Sequence, residues 1–174
     1  MIERLTVHPP DTLEVSGPVI FLAGPIQGAS YWQSKATDLL HDIEPTIVVA
    51  NPRKDYPEGT FIYEKQVDWE THYLRLAGRA GVVAFWLAKQ TEETPGRAYA
   101  QTTRFELAEW KMHHEYDNAK ITIGIEKGFG NARYIKHRFA QDCPDVKMVD
   151  NLEAMCRNAI DLCTDSPANS PEYS

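Results

Sequence analysis

The sequence predicts a doubly wound, Rossmann-like α/β fold: a mostly parallel sheet of about five strands with helices on both faces. Three observations predict it. Five short runs are predominantly apolar on both faces, which suits strands covered on both sides, as in a parallel sheet, rather than strands with one wet face. Between consecutive runs lie amphipathic stretches of helical length, so strand and helix alternate and each crossover returns a parallel strand. The composition is that of an ordinary globular domain, with 43% of the 174 residues hydrophobic and 25% charged. A chain of this length buries about 70% of its unfolded surface, enough for one core without staples.

The elements follow in order. Residues 1–17 (MIERLTVHPPDTLEVSG) read as an N-terminal arm. The first strand is Val19–Ala23, and the first helix runs over Tyr31–Asp42. The second pair is Ile47–Ala50 with roughly Tyr63–Arg79, and the third is Val82–Leu87 with Thr103–His114. The fourth is Ile121–Ile125 with Ala132–Phe139, and the last is Val146–Val149 with Leu152–Cys163. The domain is therefore expected over residues 18–163. The tail, 164–174, has two prolines, three serines and nothing to bury, so disorder is expected there.

Several function classes are disfavoured at once. A formal charge of −7 argues against a protein that clamps a nucleic-acid polymer, since that affinity comes from a basic face. The longest apolar run, Val82–Ala88, is far too short to span a bilayer, and the N-terminus lacks the unbroken apolar stretch of a secretory signal. The chain thus reads as cytoplasmic, with no membrane partner. Cys143, Cys156 and Cys163 are odd in number and form no CxxC pair, which suits reduced core thiols better than a disulfide or a metal site. The adjacent His113 and His114 cannot share a helix face, which weighs against a metal there.

In a doubly wound sheet the ligand lies beyond the carboxyl ends of the strands. That narrows the search to the loops Gly24–Ser30, Asn51–Thr60, Lys89–Thr103 and Glu126–Arg133. In the first, Gly24 and Gly28 let backbone amides approach a phosphate or sugar hydroxyls, although the same loop also reads as a tight turn with Ser30 as helix cap. It is neither a Walker loop nor a GxGxxG fingerprint. Gly128-Phe129-Gly130 resembles a dinucleotide loop only superficially, because Arg133 stands at the third glycine position, and reads as structural.

Glu106 lies near the start of its helix between Phe105 and Leu107. There the macrodipole favours the ionised carboxylate while apolar neighbours thin the water, a setting for a nucleophile; the bland alternative is a glutamate that satisfies first-turn amides. A second carboxylate comes from Asp68 or Glu70. These are two apart, about 200° around a helix, so only one can face a given pocket. Trp32, Trp69 and Trp86 are candidates for base stacking and equally for core, and Tyr63 and Tyr99 for hydrogen bonds to a sugar or carboxylate.

The ordered landmarks Phe21-Leu-Ala-Gly-Pro-Ile26 with Tyr31-Trp32, Asn51-Pro-Arg53, Gln66-Val-Asp-Trp-Glu70, Phe85-Trp86-Leu87 and Thr103-Arg-Phe-Glu-Leu107 resemble the nucleoside 2-deoxyribosyltransferase-like family over roughly residues 18–135. The resemblance implies a doubly wound sheet assembled as a homo-oligomer with active sites near subunit contacts. It also implies cleavage or transfer at the N-glycosidic bond of a (deoxy)nucleoside or nucleotide. Glu106 matches the glutamate that attacks the anomeric carbon, and Asp68 or Glu70 matches the carboxylate that orients the sugar or assists proton delivery. Gly24, Pro25, Ile26, Gln27, Gly28 and Ser30 would hold the 5′ end, with Trp32, Asn51, Tyr99 and Arg104 completing the substrate-binding set. A basic residue for a 5′-phosphate would have to come from Arg53, Arg97 or Arg104.

Such chemistry uses a covalent glycosyl ester and needs no metal or redox cofactor. Two other classes stay open: a nucleotide-binding or sensor domain without turnover, and a structural partner subunit.

Overall fold

A computed structural model describes residues 4–165. Six strands alternate with five helices: β1 (Leu5–Val7), β2 (Val19–Ala23), α1 (Trp32–Ile43), β3 (Val48–Ala50), α2 (Tyr63–Ala80), β4 (Gly81–Leu87), α3 (Gln101–Asp117), β5 (Ile121–Ile125), α4 (Ala132–Asp142), β6 (Met148–Val149) and α5 (Leu152–Thr164). The strands form one sheet in the order β1-β3-β2-β4-β5-β6, and every pairing is parallel. The doubly wound expectation holds, with six strands in place of about five.

The all-apolar runs are explained by two cores, one on each face. Val19, Phe21 and Ala23 of β2, with Val83, Phe85 and Leu87 of β4, pack against Trp69, Tyr73 and Ala77 of α2 and Leu107 and Trp110 of α3. The alternate residues Ile20, Leu22, Val82, Ala84 and Trp86 meet Trp32, Ala36 and Leu40 of α1 and Met155, Cys156 and Ala159 of α5. A period-2 strand with both faces buried leaves little room for polar side chains, and Thr122 of β5 is the one wholly buried polar residue within a strand among the described residues. Phe85 is wholly buried, and truncating it to alanine would cost about 3–5 kcal/mol. Cys143 and Cys156 are buried and Cys163 partly so, all as free thiols.

Two features differ from the sequence expectation. The N-terminal segment carries the edge strand β1, whose residues Leu5, Thr6 and Val7 pair in register with Val48, Val49 and Ala50. Its three-residue strand, with Thr6 at the centre, is too short to show a period. The segment is tied down further where Trp69 Nε1 donates to the Asp11 carbonyl at 2.7 Å and the Leu13 amide to Tyr73 Oη at 2.9 Å. Helix α3 begins at Gln101 rather than Thr103 because Ala100, at φ 58°, turns the chain through the left-handed region. The expected tail starts with Thr164, which ends α5, and from residue 166 onward it lies outside the described residues. No helix among the described residues is long and apolar enough to cross a membrane.

The chain reverses its winding between β2 and β4: β3 follows β2 on one side of the sheet and β4 lies on the other. Loops leaving the carboxyl ends of these two strands diverge and leave a crevice, the switch point where such folds bind ligands.

Candidate functional site

A cavity of about 240 Å³ occupies that crevice. Its floor is the end of β2 and the turn Gly24–Gln27. One wall is Phe61, Tyr63, Gln66, Val67 and Glu70 at the start of α2, and the other is the 90–103 loop with Glu106 of α3. The space is below the range of about 300–1,000 Å³ typical of drug-sized ligand pockets.

The turn is shaped from behind. A Cβ at Gly24, where φ is 157°, would lie 2.3 Å from the Trp86 carbonyl and 2.7 Å from the Trp32 ring, so only glycine lets the chain leave β2 this close to β4. Trp32 Nε1 donates to the Pro25 carbonyl at 2.9 Å, with the buried Gln33 amide at 3.4 Å from the same oxygen. Gly28, at φ 75°, offers its carbonyl to the Thr91 amide at 2.8 Å and hydroxyl at 3.1 Å, strapping the 90–103 loop over the turn.

Glu106 enters from the second turn of α3. Because the helix starts early, its first turn holds no acidic residue, and no side chain caps it. Glu106 is therefore not spent on first-turn amides, and among the described residues its carboxyl makes no hydrogen bond. Burial pushes its pKa up to about 8, with further contributions from the charges of Glu70 and Glu109. Glu70, partly buried one helix away, is also raised by burial, but Gln66 Nε2 donates to its Oε1 at 2.8 Å and counters the shift. Tyr99 lines the cavity with its hydroxyl donating to the Ala88 carbonyl at 2.8 Å; burial, then the charge of Glu126, pushes its pKa up to about 12, so it acts as a neutral phenol.

Of the residues named from sequence, Gly24, Pro25, Ile26, Gln27, Tyr99, Glu70 and Glu106 line the cavity together. Asp68 does not: it is exposed, on the far side of α2 from Glu70, as two residues of helix require. Gly28 and Ser30 support the turn through their carbonyls, the latter accepting from Arg53 Nη1 at 2.7 Å. The direct ligand role expected of Trp32 is corrected by its 3% exposure and its engaged indole N–H, which place it behind the turn. Asn51 is likewise buried, accepting from the Arg53 amide at 2.9 Å to shape the next loop. Arg104 points away, donating to the Gly130 carbonyl at 2.7 Å with its guanidinium 4.6 Å from the Phe129 ring centroid. Gly128–Gly130 is thus a brace for α3. Trp69 and Trp86 are core residues.

The sequence reading missed Phe61, Gln66, Val67 and Glu92, all of which line the cavity. Gln66 was accessible in principle, being four residues before Glu70 and so on the same helix face. Phe61 carries a weaker signal, an apolar residue stranded in a polar loop. Arg97, whose guanidinium donates to Gln27 Oε1, is the one cation lining the cavity among the described residues, against the carboxyls of Glu70, Glu92 and Glu106.

Fold and cavity together define a small-molecule site at the switch point of a doubly wound sheet, furnished with carboxyls from two helices. The chain belongs to the nucleoside 2-deoxyribosyltransferase-like family, which matches it over residues 17–129, from two residues before β2 to the brace after β5. Among curated proteins none matches the chain. The family implies binding of a nucleoside-type small molecule.

Proposed function

We propose that this protein is an enzyme that cleaves or transfers at the N-glycosidic bond of a (deoxy)nucleoside or its 5′-monophosphate. The observation that carries the proposal is the pair Glu106 and Glu70, brought from two helices into one cavity, neither paired with a cation among the described residues and each held in a different environment. Pairs of titratable groups whose surroundings push them apart are how one site runs nucleophilic and acid chemistry together.

Glu106 hands its proton to Glu70 and attacks C1′ of the sugar. The C1′–N bond breaks, its electron pair goes to the base nitrogen, and Glu70 protonates that nitrogen. The glycosyl ester on Glu106 is then resolved by the nitrogen of a second base, giving transfer, or by water, giving hydrolysis; the acceptor's proton returns to Glu70. Gly24–Gln27 receive the 5′ end, with Arg97 beside them for a phosphate. Phe61 and Tyr63, 52% and 67% exposed at the cavity lip, offer the base the aromatic surface that the buried tryptophans cannot.

The proposal includes a homo-oligomer. Phe105, Met112 and Tyr116 are exposed at spacings of seven and four along α3, so they share one apolar stripe beside the site.

Chromatography of free base released from nucleosides and 5′-monophosphates, with and without an acceptor base, tests the proposal. Release or exchange lost in Glu106→Ala supports it, and acceptor dependence separates transfer from hydrolysis. An inert parent that still gains melting temperature from a nucleoside, equally in the variant, is a binding domain instead.

A further inference from the structure

Gln66 sits at the centre of a closed set of hydrogen bonds beside the carboxyl pair. Its Nε2 donates to the Pro52 carbonyl at 3.0 Å and to Glu70 Oε1 at 2.8 Å, while its Oε1 accepts from Tyr56 Oη at 2.9 Å. The orientation of the carboxamide is dictated rather than free. A backbone carbonyl only accepts, so the group facing Pro52 must be the NH2; rotated by 180°, the amide would set its oxygen against both the Pro52 carbonyl and Glu70. Gln66 can therefore give Glu70 a proton to share but cannot take one from it. A carboxyl that faces a fixed donor is favoured in its ionised form. Glu106, in the same cavity, has no such donor among the described residues.

We infer that Gln66 is a positioning residue: its carboxamide, locked by Pro52 and Tyr56, holds Glu70 as the accepting member of the carboxyl pair, so that the proton the pair carries resides on Glu106 until substrate binds. The inference rests on the proposal that Glu70 partners Glu106. It adds what decides the direction of proton transfer between them, and it ties that decision to the loop between β3 and α2, which supplies both locks. Besides Glu106 of α3, the titratable and charged groups that share the cavity with Glu70 are Tyr63 of α2 and Glu92, Arg97 and Tyr99 of the 90–103 loop, with Tyr56 and Asp11 behind it.

The test is a carboxyl-carbon NMR titration of glutamate-labelled full-length protein, with signals assigned by their loss in Glu70→Gln and Glu106→Gln. In the parent the lower of the two steps should belong to Glu70. In Gln66→Met, which keeps the length and removes the donor, that step should rise by about one pH unit and close the gap to Glu106. A lower step belonging to Glu106, or a Glu70 step unmoved in a folded Gln66→Met protein, overturns the inference. If Gln66→Met does not fold, Tyr56→Phe unlocks the carboxamide from its other side and must move the Glu70 step upward for the inference to stand. The titration does not depend on turnover: absence of base release in the parent would sink the proposed function while leaving the order of ionisation to be read.

Discussion

Helix α3 buries an ionisable side chain at each of two places, and it treats them oppositely. Lys111, its side chain 9% exposed, reaches Asp142 at 2.7 Å and Glu115 at 3.1 Å, and Asp142 is held in turn by Arg138 at 3.1 Å. Burial works against the charged Lys111, but the hydrogen bonds it donates to Asp142 and Glu115 overcome it and leave its pKa raised. Five residues earlier on the same helix, Glu106 has no cation and no donor among the described residues, and the charges of Glu70 and Glu109 add to the effect of its burial. A compensated charge is part of the scaffold. An uncompensated one costs stability, and at the carboxyl ends of β2 and β4 that cost marks Glu106 as the candidate for the proposed chemistry.

The largest expected effect sharpens that contrast. Replacing Glu106 with glutamine should reduce base release by about 10³-fold or more with the fold intact. Lys111→Ala should leave release within about twofold yet lower stability by about 1–2 kcal/mol in urea unfolding, through a lost ion pair and lost packing of its stem. Asp142 lies below the ordinary carboxylate range through its hydrogen bonds to Lys111 and Arg138. Its contribution is thus present above an unfolded pKa of about 3.9 and is lost as pH falls through the lower folded value, so the Lys111→Ala deficit should shrink in acid. Loss of activity in Lys111→Ala at unchanged stability would erase the distinction between the two places.

The next effect is the pH dependence of stability, and here the sign is reversed. Glu106 is raised to about 8 in the folded chain from 4.5. The folded state therefore holds a proton that the unfolded state has lost, and stability is full below about 4.5 and falls as pH rises toward 8. Glu106→Gln removes that slope. At pH 8 it should melt about 2–4 °C above the parent, on the order of 1 kcal/mol once solvent access to the cavity is allowed for, with the two proteins converging near pH 4. A parent that gains stability between pH 5 and 8 relative to the variant would mean that Glu106 is compensated after all.

The fold was legible because burial on both faces writes a predominantly apolar run, complete in β2, β3 and β4 and interrupted only by Thr122 and Gly124 in β5. Glu106 was legible from its place near a helix start on the ligand side. What could not be read is which of Asp68 and Glu70 faces inward, since the two-residue spacing excludes a shared face without choosing one; packing of Trp69 between them against Phe21 and Tyr73 makes the choice. Trp32 and Asn51 were misplaced for a related reason. A residue type suited to a ligand is equally suited to hold the loop that meets the ligand, and only the direction of its hydrogen bond separates the roles. Gln66 was overlooked because its partners, Pro52 and Tyr56, are brought to it by the tertiary fold.

The smallest effect probes the turn that faces the carboxyls. Gly24–Gln27 hold no charge, and Pro25 is backed by two buried donors, Trp32 at 2.9 Å and Gln33 at 3.4 Å. Trp32→Phe deletes the stronger donor and leaves the weaker one, so the Pro25 carbonyl stays partly satisfied and the loss should be about 1 kcal/mol or less. If the turn only positions the sugar's 5′ end, KM should rise by about threefold while kcat stays within twofold, because ground-state and transition-state binding weaken together. A fall in kcat at constant KM would instead place the turn among the groups that act on C1′, and the division between a paired scaffold and an unpaired reactive centre would no longer run along the cavity floor.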